Sequence, residues 1–102
     1  MEKIKVGIVG YGTIGKRVAD AVLLQEDMEL VGVVGRTYNY KLEIASKRGI
    51  PIYALNKIED IKHIGVNISG TVDELLNKVD IVVDCSPKPN GALIFRLLFL
   101  II

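Results

Sequence analysis

The chain has 102 residues, half of them apolar and a quarter charged, a globular composition sized for one hydrophobic core. Thirteen basic and twelve acidic side chains leave a formal charge of +1 without any block of one sign, which argues against nucleic acid or an anionic membrane as a main partner. A single cysteine, Cys85, excludes an internal disulfide and a Cys-rich metal site, and a single histidine, His63, removes most His-based metal and triad schemes. No apolar run near the N-terminus is long enough for a signal peptide, so the expected compartment is the cytoplasm.

Ile4 to Val9 is a short apolar run ending in glycines, the pattern of a buried parallel strand. Ile14, Val18, Ala21 and Val22 then recur at helical spacing, with Lys16, Arg17 and Asp20 assigned to the opposite face. Leu30 to Val34 reads as a second buried strand, and the unit from Ile4 to Val34 has the roughly 30-residue length of a βαβ crossover. A helix is expected from Tyr40 to Arg48 with Leu42, Ile44 and Ala45 turned inward, stopped by Gly49 and Pro51. Ile50 to Leu55 is a third strand, Asn56 to Ile64 is compatible with one helical turn or two, and Val66 to Ile68 suggests a short edge strand. Thr71 and Glu74 form a capping box that predicts a helix to about Lys78, and Asp80 to Asp84 is the fourth main strand.

This order predicts an α/β fold, a Rossmann-like parallel sheet of about four main strands with helices on both faces, in a single domain over residues 1–92. Residues 93–102 break the rhythm, with nine apolar side chains and one arginine. That is half of the roughly 20 residues a membrane span needs. It is compatible with a buried element, an oligomer contact or a terminus outside any native fold.

The sharpest signal is Gly10-Tyr11-Gly12-Thr13-Ile14-Gly15, a G-x-G-x-x-G between the first strand and the first helix. In that context Gly10 makes the tight turn, Gly12 lets backbone approach a pyrophosphate, and Gly15 allows close helix–strand packing. The first-turn amides of Thr13, Ile14 and Gly15 are then the expected phosphate donors. At the end of the second strand an acid would bond a ribose 2′-hydroxyl, but Arg36-Thr37 stands there. An arginine fork suits a 2′-phosphate, so NADP is the expected cofactor, with NAD the alternative. Ser86-Pro87 begins a loop at the ligand edge of the sheet and is expected to touch the adenine ribose. Cys85 ends the fourth strand as a small residue lining that edge, because a nucleophile would need a base beside it. Asp84 reads as a strand terminus, His63 as a surface residue, and Tyr38 and Tyr40 as turn-packing residues or flanks of an adenine.

The run from Gly10 to Val22, with Asp27 to Val33, Gly49 to Ala54, Gly70 to Leu76 and Asp80 to Pro87 following in order, resembles archaeal-type glyceraldehyde-3-phosphate dehydrogenase over residues 3 to about 92. The resemblance implies the first part of an NAD(P)-binding domain of an enzyme that oxidises glyceraldehyde 3-phosphate with inorganic phosphate. Two departures stand out: Val9 replaces the family's asparagine, and Arg36-Thr37 replaces its Lys-Thr pair, which keeps a cation near a 2′-phosphate. The family's nucleophile lies in a Ser-Cys-Asn-Thr-Thr context that this sequence lacks, so Cys85 does not correspond to it and no catalytic residue carries over. A frame change or truncation after Ala92 accounts for the ending of the likeness there, and so does a short paralogue. The implied function is therefore dinucleotide binding, with a non-catalytic module or an inactive remnant as the alternatives. Apolar surface left by a shortened sheet, with the 93–102 run, predicts self-association into a homo-oligomer.

Overall fold

The computed structural model describes residues 2–85, and the strand–helix alternation read from the sequence is its backbone. Among the described residues five strands form one sheet: β1 (Ile4–Val9), β2 (Met28–Gly35), β3 (Ile52–Ala54), β4 (Ile68–Thr71) and β5 (Ile81–Asp84). Their spatial order is β4-β3-β2-β1-β5, and every neighbouring pair is parallel. The helices among the described residues are α1 (Thr13–Leu23), α2 (Tyr40–Lys47) and α3 (Val72–Leu76), with a 3₁₀ turn at Ile58–Asp60. Ser86, Pro87, the 92/93 boundary and the apolar run 93–102 lie outside the described residues.

Alternation along the strands divides the core into two layers. Val6, Ile8, Val33 and Ile52 point to one face, where Ala19 and Val22 of α1 and Leu42 and Ala45 of α2 cover them. Val9, Val34, Tyr53 and Val82 point to the other, against Val72 and Leu75 of α3. Helices therefore cover both faces of the Rossmann-like sheet, α1 and α2 on one and α3 on the other.

The helix faces differ from the periodicity reading. The buried stripe of α1 is Gly15, Ala19 and Val22, with Val18 partly covered; Ala21 faces solvent and Ile14 is 66% exposed. Gly15 carries no apolar side chain to count, yet its missing Cβ is what sets the helix down against the β1 turn. In α2, Leu42 and Ala45 are buried as expected, but Ile44 is 44% exposed. Asn39 caps that helix by accepting from the Leu42 N–H at 3.0 Å, which fixes its rotation.

The edge strand is a full sheet member at Ile68–Thr71, two residues beyond the expected position, because its register is set by Ile52 and Ala54 of β3. Glu74 accepts from the Thr71 N–H at 3.3 Å in the expected capping box, and α3 ends at Leu76, before the expected Lys78. Gly49, at φ +84°, takes the left-handed position that stops α2.

Candidate functional site

The strand order makes the site. From β1 the chain crosses to β2 on one side, and β5 later returns to the other side of β1, so the direction of winding reverses at β1. In open parallel sheets the crevice beyond the C-terminal strand ends at such a reversal is where ligands bind. Hydrogen bonds hold the three strand ends together there: Gly10 N–H to the Val34 carbonyl at 2.9 Å, and Cys85 N–H to the Val9 carbonyl at 2.8 Å.

Gly10 has φ +92°, a conformation costly for any residue with a Cβ, and it bends the chain sharply into α1. Gly15 sits so close beneath this turn that a Cβ would collide with the Gly10 carbonyl oxygen. The two glycines thus interlock: one makes the turn, the other lets the helix start directly behind it. Tyr11 anchors the turn from below, 3% exposed in the α1–α2 layer; its hydroxyl makes no hydrogen bond among the described residues, with the Arg48 guanidinium in its neighbourhood. Among the described residues nothing stands where a Gly12 Cβ would be, and Gly12 lines the crevice. The helical hydrogen-bond ladder starts with Lys16 N–H to the Gly12 carbonyl at 2.9 Å, so the amides of Thr13, Ile14 and Gly15 precede it. No acid stands in this first turn and no side chain caps it, which leaves the positive helix end available to an anion.

A cavity of about 340 Å³ opens over these strand ends, lined by Gly10 and Gly12 of the turn, Arg36 and Thr37 beyond β2, Asn39, and Cys85 beyond β5. The structure thus brings Gly10, Gly12, Arg36 and Thr37 to one wall system, with Arg36 and Thr37 both exposed. Thr13, Ile14 and Gly15 form the adjoining first turn of α1 and do not line the cavity itself. The cavity size suits part of a small-molecule ligand. An open Gly12 backbone, an uncapped helix start and a cation across the cavity suit a dinucleotide with its diphosphate on the turn.

Burial, and next to it the Asp84 carboxylate, push the Cys85 thiol above its usual range, so it stays protonated at neutral pH. His63 does not approach it: the ring stacks on Tyr38 at 3.8 Å between centroids, and Tyr38 donates to Glu43 at 2.8 Å. That hydrogen bond, followed by one from Lys47, holds Glu43 below the usual carboxylate range. Tyr38 is therefore a packing residue of the loop after β2, while Tyr40 is 65% exposed.

Sequence reading missed Lys41 altogether. Its ammonium reaches across from α2 to donate to the Thr13 hydroxyl at 3.0 Å. The available signal was a lysine in the first turn of a helix, where the dipole favours an acid.

The family model described as dihydrodipicolinate reductase, N-terminus, matches residues 4–97. A glyceraldehyde-3-phosphate dehydrogenase of Pyrobaculum calidifontis is 54% identical over 89 residues, covering 86% of this chain and 26% of the relative. Those of Sulfurisphaera tokodaii and Methanococcoides burtonii are 50% and 46% identical over 93 residues, each covering 90% of this chain and 27% and 28% of their own lengths. The chain therefore spans about a quarter of the length of the curated relatives it matches. Among solved structures, an NAD-binding protein from Listeria innocua aligns over 99% of this chain and 32% of its own, with a TM-score of 0.49 and 22% identity.

Proposed function

The chain belongs to the family described as dihydrodipicolinate reductase, N-terminus, and from that premise we propose that it binds NADP, ahead of NAD, as the cofactor domain of an archaeal-type glyceraldehyde-3-phosphate dehydrogenase. It is a nucleotide-binding domain similar to the N-terminal part of those enzymes. The observation that carries the reading is the interlock of Gly10 and Gly15 at the strand-order reversal, beside a cavity that reaches Arg36.

In this reading Gly10, Gly12, Thr13, Ile14 and Gly15 hold the diphosphate through backbone amides and the helix dipole. Arg36 meets the 2′-phosphate with its fork of donors and Thr37 adds a hydroxyl, while Ser86 and Pro87 border the adenine ribose. The bound nicotinamide supplies the hydride acceptor for oxidation of glyceraldehyde 3-phosphate, a step in glycolysis. This chain's own residues bind and orient the adenosine half and carry no part of the bond-making step; Cys85, protonated at neutral pH, is wall and not nucleophile. The cytoplasm and a homo-oligomeric state belong to the same reading. Among the described residues no helix is long and apolar enough to cross a membrane.

Arg36→Asp tests the cofactor choice. Calorimetric titration of the unmodified chain is expected to give tighter binding of NADP than of NAD, and the variant is expected to reverse that order. An unchanged preference in the variant removes Arg36 from the site.

A further inference from the structure

We infer that Lys41 is a phosphate-binding residue that closes on the dinucleotide's diphosphate from α2, an inference that rests on the dinucleotide reading above. Lys41 is the second residue of α2, where the helix's own partial positive charge disfavours a cation. Its ammonium nevertheless lies 3.0 Å from the Thr13 hydroxyl oxygen on the first residue of α1, 28 residues earlier in the chain.

The neighbouring cations are neutralised differently. Lys16 and Arg48 share the Asp20 carboxylate at 2.9 and 3.0 Å, and Lys47 pairs with Glu43 at 3.0 Å. Lys41 pairs with no carboxylate among the described residues, and a neutral hydroxyl is what it touches. A second positive charge is thus set beside the uncapped start of α1, where there is already no acid to balance the first. Because Lys41 donates to the Thr13 oxygen, the Thr13 hydroxyl proton is left to donate outward. The turn then offers three kinds of donor to one anion: the first amides of α1, the Thr13 O–H and the Lys41 ammonium.

The position also separates two phosphates. Arg36 lines the cavity beyond β2, where a 2′-phosphate belongs, whereas Lys41 is tied to Thr13, the residue that follows Gly12 at the start of α1. Lys41 is accordingly assigned to the diphosphate common to NAD and NADP, and Arg36 to the 2′-phosphate of NADP alone.

The test compares the chain with its Lys41→Gln and Lys41→Arg variants by calorimetric titration against NADP, NAD, ADP and adenosine. The glutamine variant is expected to lose about fivefold in affinity for NADP, NAD and ADP alike, and nothing for adenosine. The arginine variant is expected to keep most of the affinity, and the difference between glutamine and lysine is expected to shrink in high salt. The glutamine variant's melting temperature is expected to be no lower than that of the unmodified chain, since a charge opposed to the α2 dipole has been removed. Equal affinities in the glutamine variant overturn the inference, as does a loss confined to NADP or one that extends to adenosine. Failure of the unmodified chain to bind any of the dinucleotides or ADP overturns the dinucleotide reading itself, which is a separate result from equal affinities.

Discussion

Replacing Gly15 and Gly12 separately by alanine divides packing from ligand space within one six-residue turn. At Gly15 the new methyl meets the Gly10 carbonyl oxygen, a backbone atom pinned through its own residue's N–H to Val34, so neither partner yields by a rotamer change. Forced overpacking of this kind costs about 1–3 kcal/mol, and contact with a fixed backbone atom puts Gly15→Ala at the upper end. Alanine's better helix propensity returns about 1 kcal/mol, which leaves a net loss of about 2 kcal/mol. For a domain of this size that is a fall of roughly 8–16 °C in melting temperature. At Gly12 a Cβ meets nothing within 4 Å among the described residues, so Gly12→Ala costs the fold less than about 1 kcal/mol, the scale of an altered N-cap. The same methyl stands on the open side of the turn, and NADP affinity is expected to drop tenfold or more by about 1.4 kcal/mol of lost approach. Thermal unfolding by circular dichroism and calorimetric titration read the two effects independently. A Gly15→Ala protein that melts with the unmodified chain, or a Gly12→Ala protein that binds equally well, refutes the geometry of the turn.

Leu42 is fully buried against Gly35 and Ile44 is not, so Leu42→Ala is expected to cost about 2–5 kcal/mol in urea unfolding and Ile44→Ala at most about 0.5 kcal/mol; equal losses would mean that α2 is rotated. Cys85 is the one thiol in the chain, lines the cavity and is held protonated by burial. Its reaction with a disulfide reagent is expected to be slow at neutral pH and slower still with NADP present, and an NADP complex that leaves the rate unchanged places the ligand elsewhere. Asp20 is held below its usual range by hydrogen bonds from Lys16 and then Arg48. A depressed carboxylate contributes stability that is complete above the unfolded pKa, about 4, and is lost as pH falls through the folded value. The melting temperature is therefore expected to fall below about pH 4, with a shallower acid limb in Asp20→Asn; superimposable limbs would show that the Lys16–Asp20–Arg48 cluster contributes nothing.

What was legible in the sequence is what is decided locally. The Gly10–Gly15 turn, the β-branched strands, the Thr71–Glu74 box and the Gly49 stop each depend on neighbours a few residues away, and each stands where the residue pattern places it. The face of α1 was not legible, because apolar counting gives weight to Ile14 and Ala21 and none to Gly15, whose missing side chain sets the contact. The edge strand slipped because Ile68 and its partner Ile52 lie far apart in sequence and only their pairing fixes the register. The Lys41–Thr13 and Tyr38–His63 contacts join residues that only the assembled sheet brings together. The helix start at Tyr40 was legible, and with it the unfavourable place of Lys41 in a first turn; its contact with Thr13 was not, because only the packing of α1 beside α2 brings the two together.

The most direct test of the account is a two-dimensional amide spectrum of the 11.2 kDa chain during titration with NADP. The amides expected to shift most are those of Gly10, Gly12, Thr13 and Ile14 in the turn and of Arg36 and Thr37 beyond β2, with weaker changes at Cys85. A spectrum that does not move, or shifts gathered instead around Ile64 and Ile68 at the far edge of the sheet, would contradict it.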